Sequence, residues 1–174
     1  MPLHATPISR NTAMRKAVKN IYLSSFPKEE RLPFPLLRAF ALWRGVDFTA
    51  YTDGEKALGF TYTIAADDIL FVLFFAVDET DRGRGVGSAI LSELKAKSCA
   101  VVLNIEPLDP HAGNYEERCR RFRFYEKNGF YDTGRDIREV GGVFRVLSTD
   151  PTIDIKEVFR KIAFGRFKVF DQEH

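Results

Sequence analysis

The sequence predicts a mixed α/β fold, and three observations predict it. Three strand-like segments follow one another through short turns between residues 46 and 77. A glycine-rich turn then joins the last of them to an amphipathic helix and a further strand, and such a unit within one sheet requires a parallel crossover. A second helix leads on to a closing pair of strand-like segments. The sheet is therefore expected to be mixed: an antiparallel meander, then a parallel strand–helix–strand unit, then an antiparallel pair, with helices on both faces. No repeat, low-complexity tract or linker interrupts the 174 residues, so residues 1–174 are expected to form a single domain.

Taken in order, residues 12–24 place Met14, Val18, Ile21 and Tyr22 at helical spacing. The stretch FPKEERLPFP ends that helix with its three prolines. A second helix is predicted over FPLLRAFALWRG, closed by Gly45. VDFTAYT alternates, DGEK reads as a turn, and ALGFTYTIA is rich in β-branched and aromatic residues. ILFVLFFAV has the length and composition of a buried strand. VGSAILSELKAK reads as a helix with Ile90, Leu91 and Leu94 on one face, AVVLNIE as a strand, and NYEERCRRFRFYEKN as a helix ended at Gly129. GFYDTGRDI and GGVFRVLST form the closing pair around Gly141 and Gly142, and IDIKEVFRKIAF a last short helix.

Composition excludes several classes. The formal net charge of +2 and a pI of about 8.5 are too mild for a nucleic-acid-binding domain, which usually shows a pI above ~9 and a basic stripe. The longest apolar run has nine residues, against about 20 for a membrane span, and the N-terminus lacks the apolar core of a signal peptide. Cys99 and Cys119 form no CxxC pattern and no disulfide framework, which fits a reducing compartment. A soluble cytoplasmic protein is expected. Cys99 reads as a small core residue at a helix end. His4, His111 and His174 are scattered without metal-like spacing, so no metal is expected.

The chemistry concentrates in DRGRGVGS, residues 81–88. A turn between a strand and a helix N-terminus holds unpaired N–H groups in the positive end of the helix dipole. Glycines at 83, 85 and 87 would let that backbone approach an anion closely, and Arg82 and Arg84 add charge. The plain alternative is a surface turn with solvated arginines. A triphosphate-binding GxxxxGK[ST] string is absent. The dinucleotide fingerprint GxGxxG fits Gly83 and Gly85 but finds Ser88 at its third glycine, and five residues separate the strand from the first glycine.

Written as Arg82-x-x-Gly85-x-Gly87, the turn resembles the [QR]xxGx[GA] signature of the GNAT superfamily of N-acetyltransferases. The resemblance extends to the hydrophobic strand before it and to FYEKNGF, residues 124–130, at the end of the later helix. It is closest over residues 69–131, about a third of the chain; the flanks match in element order only. The resemblance implies direct transfer of an acetyl group from acetyl-CoA, bound as cosubstrate, to a primary amine of a small molecule or peptide. A non-catalytic acyl-CoA-binding or sensor domain on the same scaffold is the alternative. The fold often pairs, so a homodimer is compatible with it.

Residue by residue, the resemblance places the coenzyme's diphosphate on Arg82, Gly83, Arg84, Gly85, Val86, Gly87 and Ser88. It places the pantetheine along Phe75, Ala76 and Val77, with the Val77 N–H polarising the acetyl carbonyl. Tyr125 matches the family's general-acid tyrosine; its bland reading is a packing residue of an amphipathic helix. Some relatives carry a glutamate early in the strand before the turn, but Ile69 to Val77 hold no acid. Glu106, at the end of the next strand and on one face with Asn104, is then the candidate base, with Asp109 behind it and a solvated strand-end acid as the alternative. Arg84 and Lys127 are candidate phosphate neighbours. Arg118, Arg120, Arg121 and Arg123 would reach a 3′-phosphate or an acidic acceptor, or form a wet helix face. The loop SSFPKEERLPFP would border the acceptor, its Glu29 and Glu30 favouring a cation and its Phe26 and Phe34 an apolar body.

Overall fold

The structure is a computed structural model that describes residues 3–8, 12–54, 56–139, 142–162 and 168–171. Its strands are β1 (His4–Pro7), β2 (Val46–Thr52), β3 (Ala57–Ala66), β4 (Ile69–Val77), β5 (Ala100–Ile105), β6 (Tyr131–Glu139), β7 (Gly142–Ser148) and β8 (Lys168–Asp171). Its helices are α1 (Thr12–Ser25), α2 (Phe34–Phe40), α3 (Val86–Ala96), α4 (Tyr115–Lys127) and α5 (Ile155–Ile162). The strands form one sheet in the order β1-β2-β3-β4-β5-β7-β6-β8. β2, β3 and β4 are the expected antiparallel meander, β4 and β5 are the parallel pair, and β6 pairs antiparallel with β7.

The two faces follow from strand alternation. Leu70, Val72, Val101, Leu103 and Ile105 share a buried cluster with Val86, Ile90, Leu91 and Leu94 of α3 and Tyr125 of α4. On the other face, Val18, Ile21 and Tyr22 of α1 and Leu37 of α2 pack with Phe48, Phe60, Tyr62 and Phe74. α5 continues that layer over Phe71, Val102 and Val146. The phenylalanine-rich composition is spent here. Tyr22 and Phe26 meet Phe74 edge-on at 5.2 and 5.1 Å, and such pairs contribute about 0.5–1.5 kcal/mol beyond area burial. The Tyr22 hydroxyl accepts from the Leu32 N–H at 2.8 Å and donates to the Leu32 carbonyl at 3.1 Å, which fixes the α1–α2 connection against this layer.

Four features go beyond or against the sequence expectation. α2 ends at Phe40, five residues before Gly45, because the bonds from Leu42 N to Ala39 O and Trp43 N to Phe40 O tighten the chain into turns that feed β2. β7 enters the sheet between β5 and β6, so the closing hairpin presents its second strand to the centre. β1 is a four-residue edge strand ending in proline, too short to show a period. Cys99 is exposed rather than buried: it lies in the turn between α3 and β5, where its N–H donates to the Asp68 carbonyl at 2.9 Å. Glu55, Gly141, residues 163–164 of the last predicted helix, and His174 lie outside the described residues.

One register irregularity positions the site. Tyr62 faces Phe74 while Thr63 faces Val72, so Leu73 is an extra residue on β4. β4 meets β5 only over Ile69–Val72 against Ala100–Leu103. Past the bulge β4 stays with β3, and Gly59 lies against it: a Cβ there would stand 2.5 Å from the Ala76 carbonyl oxygen and 3.3 Å from the Val77 Cα. Both are backbone atoms that cannot yield cheaply. Gly59→Ala is expected to lower stability by about 1–3 kcal/mol, read as a lower urea midpoint with an unchanged m-value; an unshifted midpoint would contradict this close approach.

Candidate active site

The parting of β4 from β5 leaves a backbone edge open. The Asp78 N–H donates to the Leu58 carbonyl on β3 at 2.8 Å. Strand alternation then turns residues 74 and 76 toward β3 and aims the N–H and C=O groups of Phe75 and Val77 the other way. No strand of the described residues fills that side beyond Val72. The guanidinium of Arg82 reaches the Val77 carbonyl, Nε to O at 3.4 Å. A donor–acceptor edge of this kind accepts an extended ligand as it would another strand.

β4 runs directly into the glycine turn. Asp78 accepts the Thr80 N–H at 3.0 Å and so caps a short 3-10 turn at Glu79–Asp81. Gly83 and Gly85 hold φ of +77° and +82°, a region that costs a side chain roughly 1–2 kcal/mol, and Gly85 is the N-cap of α3. Gly87 serves a different purpose: a Cβ there would meet the Phe124 ring at 3.0 Å and the Phe75 ring at 3.5 Å. Those rings stack at 6.5 Å and tie α4 to β4, and the bare Gly87 lets the start of α3 lie against both. Arg82, Gly83, Arg84, Gly85 and Ser88 are exposed, whereas Val86 is buried as the first anchor of α3.

Arg84 is not loose. Its guanidinium pairs with Asp81 at 2.5 Å, and Lys56, from the β2–β3 turn, pairs with the same carboxylate at 2.7 Å. Asp81 is itself fully buried. The Lys56 hydrogen bond, acting against burial and helped by Thr80 and Arg84, holds its carboxyl below the usual aspartate range.

Tyr125, on α4, is 7% exposed and shares the buried cluster with Val72, Leu103 and Ile105, the residues at which the two strands part. Burial pushes its phenol up to about 12, with Arg121 pulling weakly the other way. It is therefore a protonated donor throughout the neutral range.

Glu106 differs from a free strand-end carboxylate. Arg121 pairs with it at 2.8 Å and Arg118 at 3.0 Å, and the Asn114 amide donates to it at 3.2 Å. Burial raises its carboxyl, but Asn114, Arg121 and Arg118 together bring it below the ordinary glutamate value. It is a weaker proton acceptor than the strand-end position suggested. Glu30, in the α1–α2 connection, is pushed the other way, first by burial and then by the charge of Glu106. The two carboxylates thus face a common region, with Arg118 and Arg121 beside them.

Other candidates fall elsewhere. Lys127 is exposed on the last turn of α4, and no hydrogen bond or ion pair among the described residues ties it to the turn. Arg120 and Arg123 are exposed. Asp109 accepts the His111 N–H at 2.9 Å within its own turn. Phe26 and Phe34 pack into the aromatic layer rather than lining an open pocket. The Asp81–Lys56 pair and the Gly87–Phe124 contact escaped the sequence reading, because their members lie 25 and 37 positions apart with no local period to announce them. Among the described residues no cluster of His, Cys, Asp and Glu is arranged to hold a metal, and no helix is long and apolar enough to cross a membrane.

Comparison with known proteins agrees with this fold. The sequence profile of the acetyltransferase (GNAT) domain matches residues 44–132. A Bacillus subtilis (strain 168) protein, YjbC, classed with the acetyltransferases, is 33% identical over 84 residues, which are 48% of this chain and 40% of that protein. The chain thus matches less than half the length of this relative. A GNAT-family structure from Bacteroides thetaiotaomicron superposes with a TM-score of 0.69 at 20% identity, covering 92% of both chains. An aminoglycoside 6′-N-acetyltransferase complexed with coenzyme A gives 0.64 at 14% identity, covering 87% of this chain and 99% of that one. The ribosomal-protein-S18-alanine N-acetyltransferase of Escherichia coli gives 0.62 at 17%, covering 88% and 96%. At these identities the superpositions show the fold.

The lowered carboxyl of Asp81 sets a pH window. Its contribution is fully present above the unfolded aspartate value of about 3.9 and is lost as pH falls through the lower folded value. Asp81→Asn is expected to melt about 2–4 °C below wild type between pH 5 and 8, with the gap closing below about pH 4. A gap that persisted unchanged at pH 2 would show that the charge is not responsible.

Proposed function

The chain belongs to the GNAT family of acetyltransferases, and from that premise we propose that residues 1–174 act as one transferase domain that moves an acetyl group from acetyl-CoA to a primary amine within a ternary complex. The observation that carries the proposal is the continuous run of outward-facing backbone donors from Phe75 and Val77 into the glycine turn. Few ligands need both an extended amide-bearing arm and a diphosphate; coenzyme A carries both.

The residues present suit that ligand. Phe75, Ala76 and Val77 would hold the pantetheine arm, and the amides from Arg82 to Ser88 the diphosphate. The cosubstrate supplies the thioester. The Val77 N–H would stabilise the oxyanion as the amine nitrogen bonds to the carbonyl carbon and the carbon–sulfur bond breaks. Tyr125 would meet the departing sulfur. With its phenol near 12 and an alkyl thiol near ~8.5, outright proton transfer is uphill by about 5 kcal/mol. Tyr125 therefore stabilises the thiolate chiefly by donating a hydrogen bond as charge builds, and the proton lost by nitrogen restores the thiol.

Glu106 and Glu30 would border the acceptor, their charge balanced by Arg118 and Arg121. An ion-paired carboxylate cannot take a proton outright from an amine titrating near ~10.4. The proton then leaves through water, with Glu106 orienting the acceptor rather than acting as a strong base.

Two measurements test this. Acetyl-CoA and free coenzyme A are expected to raise the melting temperature while NAD does not; stabilisation by NAD alone would overturn the assignment. With an amine panel, free thiol release is expected from wild type, and Tyr125→Phe is expected to lower kcat at least about tenfold while KM for acetyl-CoA stays within about twofold. Unchanged kcat would remove Tyr125 from the chemistry.

A further inference from the structure

The mechanism above does not use the one fully buried carboxylate beside the glycine turn. Asp81 has 0% exposure and accepts Lys56 on one oxygen at 2.7 Å, Arg84 on the other at 2.5 Å, and the Thr80 hydroxyl at 3.2 Å. A buried anion is the wrong sign for a site that receives a diphosphate, unless it serves to place cations there. The arrangement fits that purpose. The trio carries a net charge of +1, and the Lys56 and Arg84 side chains keep 51% and 55% of their surface exposed. An ammonium has three donors and a guanidinium five, so each cation retains donors for a second anion after binding Asp81.

The backbone holds both cations in place. Arg84 stands between Gly83 and Gly85, whose positive φ values define the turn. Lys56 belongs to a different element, and its N–H donates to Asp53 Oδ1 at 3.0 Å, fixing the β2–β3 turn from which the side chain reaches Asp81. Two long side chains that would otherwise be mobile are thus ordered before any ligand arrives, which removes part of the entropic cost of binding.

We infer that Lys56 is a phosphate ligand of the coenzyme site, and that Asp81 is the positioning residue that fixes it, together with Arg84, beside the glycine turn. This inference rests on the coenzyme A reading above and adds to it a residue from outside the glycine-loop motif.

The test compares wild type, Lys56→Met, Lys56→Arg and Asp81→Asn in two assays: calorimetric binding of coenzyme A, and turnover with acetyl-CoA against S-acetylpantetheine, which lacks the diphosphate and nucleotide. Lys56→Met is expected to weaken coenzyme A binding and raise KM for acetyl-CoA about five- to tenfold, as loss of one partly exposed charged contact would. Its kcat should stay within about twofold, its kcat/KM for S-acetylpantetheine should be unchanged, and Lys56→Arg should recover most of the affinity. Asp81→Asn should act in the same direction; if it does not fold, the two lysine variants decide. Unchanged coenzyme A affinity in Lys56→Met, or equal losses on both donors, would overturn the inference. Wild type failing to bind coenzyme A at all would instead defeat the coenzyme reading on which it rests.

Discussion

A strand whose partner departs leaves hydrogen-bonding groups that something else must satisfy. Here β4 keeps β3 along its length but loses β5 after Val72, and the N–H groups of Phe75 and Val77 face the gap. These amides lack a strand partner on that side, so the open edge can take a ligand that acts as a strand. The extra residue at Leu73 and the close approach of Gly59 to Ala76 hold β4 on the β3 side of the gap. The phenylalanine-rich layer beneath, with Tyr22 and Phe26 against Phe74, makes that arrangement rigid.

Charge is organised in two separate groups around this gap. At the turn, buried Asp81 gathers Lys56 and Arg84 into a positive cluster suited to phosphate. At the end of β5, Arg118 and Arg121 bind Glu106 and leave that carboxylate ionised, while nearby Glu30 is pushed up by burial and by Glu106. Between them, Tyr125 stays protonated because it is buried. Each group is set by what surrounds it: the same residue types free in solution would offer a mobile lysine, a basic glutamate and an ordinary phenol.

Much of the fold was readable from period and punctuation. β2 and β4 match the predicted segments residue for residue, and α3 begins at the predicted Val86, because apolar alternation, turn residues and glycine act locally. The insertion of β7 beside β5 was not readable, since register between distant strands leaves no mark on neighbouring residues. The same division runs through the site. The glycine turn and Tyr125 belong to local motifs. The Asp81–Lys56 pair and the Gly87–Phe124 contact join residues 25 and 37 positions apart. Glu106 was visible as a strand-end acid, but its two arginine partners were visible only as a charged helix face, so its weakened basicity could not be foreseen.

The claim on which the rest depends is that main-chain amides of β4 and the following turn grip the coenzyme. A crystal structure with coenzyme A bound tests it most directly. The account predicts the pantetheine amides hydrogen-bonded to Phe75 and Val77 and the diphosphate against the N–H groups from Gly83 to Ser88. Coenzyme bound elsewhere, with the edge of β4 still open, would contradict it.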